Sequence, residues 1–167
     1  YESGLNIYTS MEPKHQEAAE NALRRGLEEA SKRSGWHGPI KNLATAEEIE
    51  TFLKKEQPDA EFLTGGSWAK AVVSGVEKNG ATVRVGEYNG RIGLKAMSWA
   101  RTPSLRVAGA YAPAITDARK VLKPGDVIWV SMIPGKHDAR KPQPKEKTLE
   151  LALEQYPAIQ GALVSIE

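Results

Sequence analysis

An α+β fold is predicted, in which a small closed sheet of five strands is inserted in a linker subdomain made of a helix and a pair of terminal strands. Three observations lead there. The hydrophobic period changes along the chain, the net charge changes sign at the same place, and the segments that follow are short, β-rich and punctuated by glycine turns. The chain has 167 residues, 40% apolar and 26% charged, with 15 Gly and 10 Pro, a globular composition with room for one core. Residues 1–64 carry 8 Lys and Arg against 12 Asp and Glu, whereas residues 65–167 carry 15 against 9. The overall net charge of +2 therefore conceals an acidic part and a basic part that meet at Gly65-Gly66. The expected organisation is a linker strand and helices over 1–64, a barrel over 65–155 and a return strand over 156–167.

The acidic part reads as helical. Pro13 suits the first position of a helix, where its missing N–H costs nothing. Ala18, Ala19, Ala22, Leu23, Leu27 and Ala30 then recur at three- and four-residue intervals, forming one apolar stripe. Glu20-Arg24 and Glu28-Lys32 are i,i+4 pairs on the other side, and Gly35 stops the helix. Thr45-Ala46-Glu47-Glu48 is a capping box that opens a second helix. This helix offers Ile49, Phe52 and Leu53 to the interior, and Pro58 ends it. Ahead of both helices, Leu5–Thr9 alternates as a strand.

The basic part reads as strands over Trp68–Val76, Ala81–Val85, Arg91–Ala96, Val127–Ile133 and Thr148–Leu153. Asn79-Gly80 and Asn89-Gly90 are expected to turn the first two hairpins, since Asn-Gly accepts the positive φ such turns require. An irregular connection, Arg101 to Lys120, separates the third strand from the fourth. Pro134 to Glu146 holds four Lys or Arg, two further Pro and no apolar period, and is expected to be a mobile loop. Five strands with a connector before the last two have the layout of an OB-fold, a five-stranded Greek-key barrel. Trp99 and Trp129 are assigned to its core. Arg101 is expected either to pair with an acid at the barrel mouth or to contact a partner.

Several chemistries are set aside. With no cysteine in the chain, disulfides and Cys-ligated metals are excluded. The longest stretch free of Asp, Glu, Lys and Arg is Gln155–Ile166, twelve residues, against the roughly 20 apolar residues of a membrane span. His15, His37 and His137 lack metal-ligand spacing. Ser67-Trp68-Ala69-Lys70 matches Ser-x-x-Lys, a nucleophile motif that needs a helix to return the lysine onto the serine. Here the residues enter a β-rich run that sends the two side chains apart, and no Lys-Thr-Gly follows. No catalytic, cofactor-binding or metal site is therefore assigned. Nucleic acid is the alternative worth weighing, because OB-folds bind single strands and residues 65–145 carry 14 Lys and Arg against 5 Asp and Glu. The aromatic equipment for base stacking is thin, so no nucleic acid is expected.

Gly4-Leu5-Asn6-Ile7-Tyr8-Thr9-Ser10-Met11-Glu12-Pro13, followed by the helix with Gln16 and Ala18-Ala19, resembles the strand, turn and helix that follow the glycosyltransferase domain in class A penicillin-binding proteins. Gln155-x-Pro157-x-x-Gln160-Gly161-Ala162-Leu163-Val164-Ser165-Ile166 is similar to the strand opening that family's transpeptidase region. Met97-Ser98-Trp99-Ala100-Arg101 and Leu122-x-Pro124-Gly125-Asp126-Val127-Ile128-Trp129-Val130 resemble the OB-like insertion of the 1A type. One departure is Glu12, where the family usually has Asp, which weakens the helix cap. The resemblance implies a piece of a bifunctional peptidoglycan synthase, periplasmic, whose parent is anchored in the inner membrane. Both active sites would lie outside these residues. The implied partners are the rest of the synthase and an outer-membrane lipoprotein activator or another cell-wall protein. The opening on Tyr1 and a last strand pattern running to Glu167 fit the expectation of a piece of a longer chain. Leu5–Thr9 is expected to pair with Ala162–Ile166, with the first helix packed on that ribbon.

Overall fold

The computed structural model describes residues 12–103, 113–133, 148–158 and 160–162. Its first element is α1 (Pro13–Ser34), with Pro13 at the start as expected and Gly35 at the end. Glu12 precedes it without capping through its side chain. Gly35 is required twice over: its φ is 107°, and a β-carbon there would sit 2.7 Å from the Arg101 carbonyl oxygen.

Strand β1 (Lys41–Asn42) and α2 (Ala46–Lys55) come next, α2 opened by the expected capping box between Thr45 and Glu48. Leu53 of α2 is buried, with Ile49 and Phe52 beside it, against Val72 and Val127 on the outside of the sheet. A short helix absent from the sequence reading follows. It is α3 (Ala60–Thr64), capped by Asp59, whose carboxylate accepts from Phe62 N, and closed by Gly65 at φ 85°. Phe62 is 0% exposed and plugs one end of the core.

The barrel consists of β2 (Ala69–Glu77), β3 (Gly80–Val85), β4 (Tyr88–Gly93), β5 (Asp126–Met132) and β6 (Leu149–Glu154). Its strand order is β5-β2-β3-β4-β6, closed by pairing of β5 with β6. All pairs are antiparallel except β4 with β6, and β1 lies antiparallel outside β5. Strand β2 serves both halves: its first residues pair with β5, its last with β3, and a register shift between Val73 and Gly75 bends it from one to the other. Val73, Val83, Val85, Ile92, Ile128, Val130, Leu149, Leu151 and Leu153 fill the interior. These are the alternate residues of each strand, so one face of every strand is the core.

Several expectations need correcting. Asn89-Gly90 is not a turn. The reversal lies at Gly86-Glu87, and Asn89 and Gly90 pair with Arg84 and Val83 inside the sheet. Gly90 stands where three strands crowd: a β-carbon would fall 2.5 Å from Leu151 Cδ1 and 3.1 Å from Val83 Cγ2. The expected strand Arg91–Ala96 therefore begins and ends earlier, and Leu94–Met97 is a 3-10 turn. The first hairpin does turn at Lys78-Asn79, yet neither residue has positive φ. Gly80 carries it instead, and any side chain there would run into the Ile92 carbonyl.

Trp129 is not a core residue, and Trp99, only partly covered, packs against the core cluster from outside it. Trp129 lies between the inward Ile128 and Val130 and so faces outward. The continuous apolar run of β5 arises because its outer face is also covered, by α2 over Val127 and by Tyr156 against Trp129. The expected strand Leu5–Thr9 and loop Pro134–Glu146 lie outside the described residues. So does most of the return strand Ala162–Ile166, and with it the pairing between the two terminal segments.

Candidate interaction surfaces of the barrel

Arg101, left open in the sequence between an acid and a partner, has two backbone carbonyls among the contacts of its guanidinium. It donates to the Arg33 carbonyl and, at 3.3 Å, to the Trp99 carbonyl. A cation on the last carbonyls of a helix satisfies an orphan acceptor and meets the negative end of the helix dipole. The Arg101 carbonyl in turn accepts from Trp36 N at 2.8 Å.

Gln155 completes this junction from the other side. It follows β6 and is 6% exposed. Its Nε2 donates to the Ser31 carbonyl (3.1 Å), Ser31 Oγ (2.9 Å) and the Gly35 carbonyl (2.9 Å). Its Oε1 accepts from His37 N at 3.1 Å. One buried amide thus satisfies the C-terminus of α1 and the chain beyond it. Next to it, Glu154 reaches Lys32 Nζ at 2.5 Å and accepts from Ser131 Oγ at 2.9 Å. Burial and the Glu154 charge raise the pKa of Glu28, one turn earlier on α1. Trp36 and Trp99 close the junction edge to face, centroids 5.8 Å apart, with Lys32 Nζ 5.6 Å from the Trp99 ring. Nothing local in the sequence marks Gln155 for this structural role, because its partners lie 118 to 124 residues away.

A second surface is aromatic. Tyr156 stands edge-on between Trp68 and Trp129, with centroids 5.1 and 4.9 Å away. Lys70 Nζ lies 5.5 Å from the Trp129 ring and 3.0 Å from Glu56. The Ser67 hydroxyl, meanwhile, donates to Asp59 at 2.9 Å. The two ends of the Ser-x-x-Lys match are thus engaged with different carboxylates.

The third surface is the outer face of β3 and β4 with the 3-10 turn that follows. Arg84 is bound by Glu50 of α2, while Arg91 and Lys95 are exposed; Arg106 lies outside the described residues. Tyr88, the aromatic residue of this pair of strands, packs against the core cluster. Beyond β4, Arg119 grips Asp117 bidentately and holds its pKa down to about 2. His15 pairs with Glu12 on the exposed start of α1, and His37 Nε2 lies 3.2 Å from Ser34 Oγ. His137 lies outside the described residues. Among the described residues, no group of three or more His, Cys, Asp or Glu could hold a metal ion, and no helix is long and apolar enough to cross a membrane.

The closed five-strand order, with its parallel contact between β4 and β6, defines an OB-type barrel, here carrying a helix at one end. Over residues 36–159 the sequence matches the penicillin-binding protein OB-like domain, and the chain belongs to that family. Penicillin-binding protein 1A of Rickettsia prowazekii is 30% identical over 167 residues, covering 98% of this chain and 17% of that protein. Its counterpart in Rickettsia typhi is 32% identical with the same coverage. The chain thus spans about a sixth of the length of these relatives. A solved structure of penicillin-binding protein 1A from Haemophilus influenzae aligns over 89% of this chain and 18% of its own, at 22% identity and a TM-score of 0.49.

Proposed function

We propose that this chain is the linker and OB-like portion of a bifunctional peptidoglycan synthase, non-catalytic itself, acting as a spacer and regulatory docking domain. In this reading the parent polymerises glycan and cross-links stem peptides with residues outside this chain, is anchored in the inner membrane, and holds the barrel in the periplasm. The division into a linker (1–64), a barrel (65–155) and a return strand (156–167) belongs to the same reading, with β1, α2 and α3 packed against the barrel from the linker side. An outer-membrane lipoprotein activator, or another cell-wall protein, is the partner the exposed basic face around Arg91 and Lys95 would receive.

The observation that carries the reading is the junction built on Gln155. A barrel keyed to the end of α1 by buried hydrogen bonds cannot swing freely, so force or binding at the barrel reaches the linker. The separate engagement of Ser67 and Lys70 supports the non-catalytic half of the reading. The test is made in the parent synthase, by replacing residues 36–155 with a short Gly/Ser linker and assaying polymerisation and cross-linking with and without the activator. Both chemistries should persist without activator, and stimulation should be lost. Loss of both chemistries in a variant that still binds penicillin would overturn the reading.

A further inference from the structure

The aromatic surface has no part in the junction, yet it is built like a recognition site. Tyr156 is 59% exposed, one of two large hydrophobic side chains left open to that degree among the described residues. With Trp68 and Trp129 it forms a ridge between two hollows. On one side is a cleft of about 1020 Å³ whose walls carry Arg24, Arg25, Glu28 and Glu61. On the other is a hollow of about 160 Å³ walled by Glu56, Asp59 and Lys70.

We propose that this ridge and its larger cleft bind a saccharide, namely a β-linked chain of N-acetylhexosamines. Three arguments converge. Half-exposed indole and phenol rings present apolar faces and edges to the C–H face of a pyranose, a surface that water solvates poorly. The walls hold donors and acceptors interleaved, guanidinium beside carboxylate, which suits hydroxyl and acetamido groups that both give and take hydrogen bonds. The charges nearly cancel, with one carboxylate in excess: three cations stand against four carboxylates across the two hollows. A polyanion needs a positive field, and a protein partner favours an apolar interface core; this concave, polar and nearly charge-balanced place offers neither. The saccharide class rests on the ridge and cleft alone. The N-acetylhexosamine identity rests on the parent being a peptidoglycan synthase.

The test titrates the 167-residue chain with chitohexaose, with cellohexaose and a single-stranded oligonucleotide in parallel, following tryptophan fluorescence and amide chemical shifts. Saturable binding of chitohexaose is expected, with shifts centred on Trp68, Trp129 and Tyr156. Tyr156→Ala should weaken it about tenfold; the two edge-on ring contacts go with it, so the thermal midpoint is checked separately to show that the variant is folded at the titration temperature. Glu61→Gln, which leaves the ridge intact, should also weaken binding. No saturable response, equal binding by both variants, preference for cellohexaose, or tighter binding of the oligonucleotide would each overturn the proposal. A negative result here leaves the excision experiment standing, since that experiment reads activation of the parent and this one reads sugar binding by the chain alone.

Discussion

Strand β6 and helix α1 hold their places by opposite means. Four of the six residues of β6 are buried, and three of them, Leu149, Leu151 and Leu153, are wholly inside the core. Of the 22 residues of α1, Ser31 is the buried one. The barrel is held by apolar area removed from water on one face of every strand. The helix is held at its C-terminal end by a polar knot in which Gln155, Glu154 and Arg101 satisfy its last carbonyls and Lys32. Leu23 and Leu27 gain cover from the chain at Gly161, whose β-carbon would lie 3.2 and 3.3 Å from them. A hydrophobic core tolerates the loss of any one polar contact, whereas a knot depends on each of its members.

The largest effect should come from breaking the barrel's side of this contrast. Leu151 is 0% exposed, pairs with Ile92 and Met132, and lies under Gly90. Leu151→Ala removes buried methyl groups and leaves a cavity, so unfolding in urea should show a loss of about 2–5 kcal/mol. The loss should appear in the core amides of all five strands together. A loss under 1 kcal/mol would mean the interior is not packed around this residue.

An intermediate effect is expected at the knot, and its location matters more than its size. Gln155→Ala takes the amide away from Ser31 Oγ, the Gly35 carbonyl and His37 N, while the Ser31 carbonyl keeps the Ser34 hydroxyl at 2.6 Å, at a cost of about 1–3 kcal/mol. Hydrogen exchange and protease cleavage should speed up in α1, over Pro13–Ser34, while the barrel amides keep most of their protection. Equal loosening of helix and barrel would erase the distinction between the two regions.

The features legible in the sequence were those whose causes are local. The capping box at Thr45 and Glu48 is seen within four residues, and the alternation of Val83 and Val85 within three. Short elements with local caps, such as α3 between Asp59 and Gly65, fell below the period that marks a helix. The Asn-Gly pairs were misleading because glycine answers two different demands. At Gly90 the demand is space between three strands, which only the closed barrel creates. Trp129 looked like core for a similar reason: an apolar run does not say which of its faces meets the interior and which meets a covering residue such as Tyr156. Gln155 was invisible as a structural residue, since a buried amide is defined by partners the fold brings from far along the chain. Its neighbour Tyr156, and the cleft beside it, share that origin.

The smallest predicted effect separates the two regions by sign. Asp117, beside the barrel, has its pKa lowered from 3.8 to about 2, chiefly by the hydrogen bond from Arg119. A depressed carboxylate pKa means the folded state binds its proton less readily than the unfolded one, so the stability it contributes is present above the unfolded value and is lost as pH falls through about 2. Glu28, on α1, is shifted the other way from 4.5, first by burial and then by the charge of Glu154, against the lowering influence of Lys32 and Arg24. Its folded state binds the proton more readily, so its contribution is full below 4.5 and declines as pH rises through the raised value. Carboxyl chemical shifts followed against pH should therefore show Asp117 titrating below, and Glu28 above, the range of unstructured carboxylates. Glu28→Gln should flatten the fall in stability above that range, and Asp117→Asn should flatten the fall below it. Because Arg119, the cation that lowers Asp117, is exposed, whereas Glu28 is shifted first by burial, added salt should shrink the Asp117 effect more than the Glu28 effect. The same ordering in high salt and in low salt would show that the helix junction is no drier than the barrel's exterior.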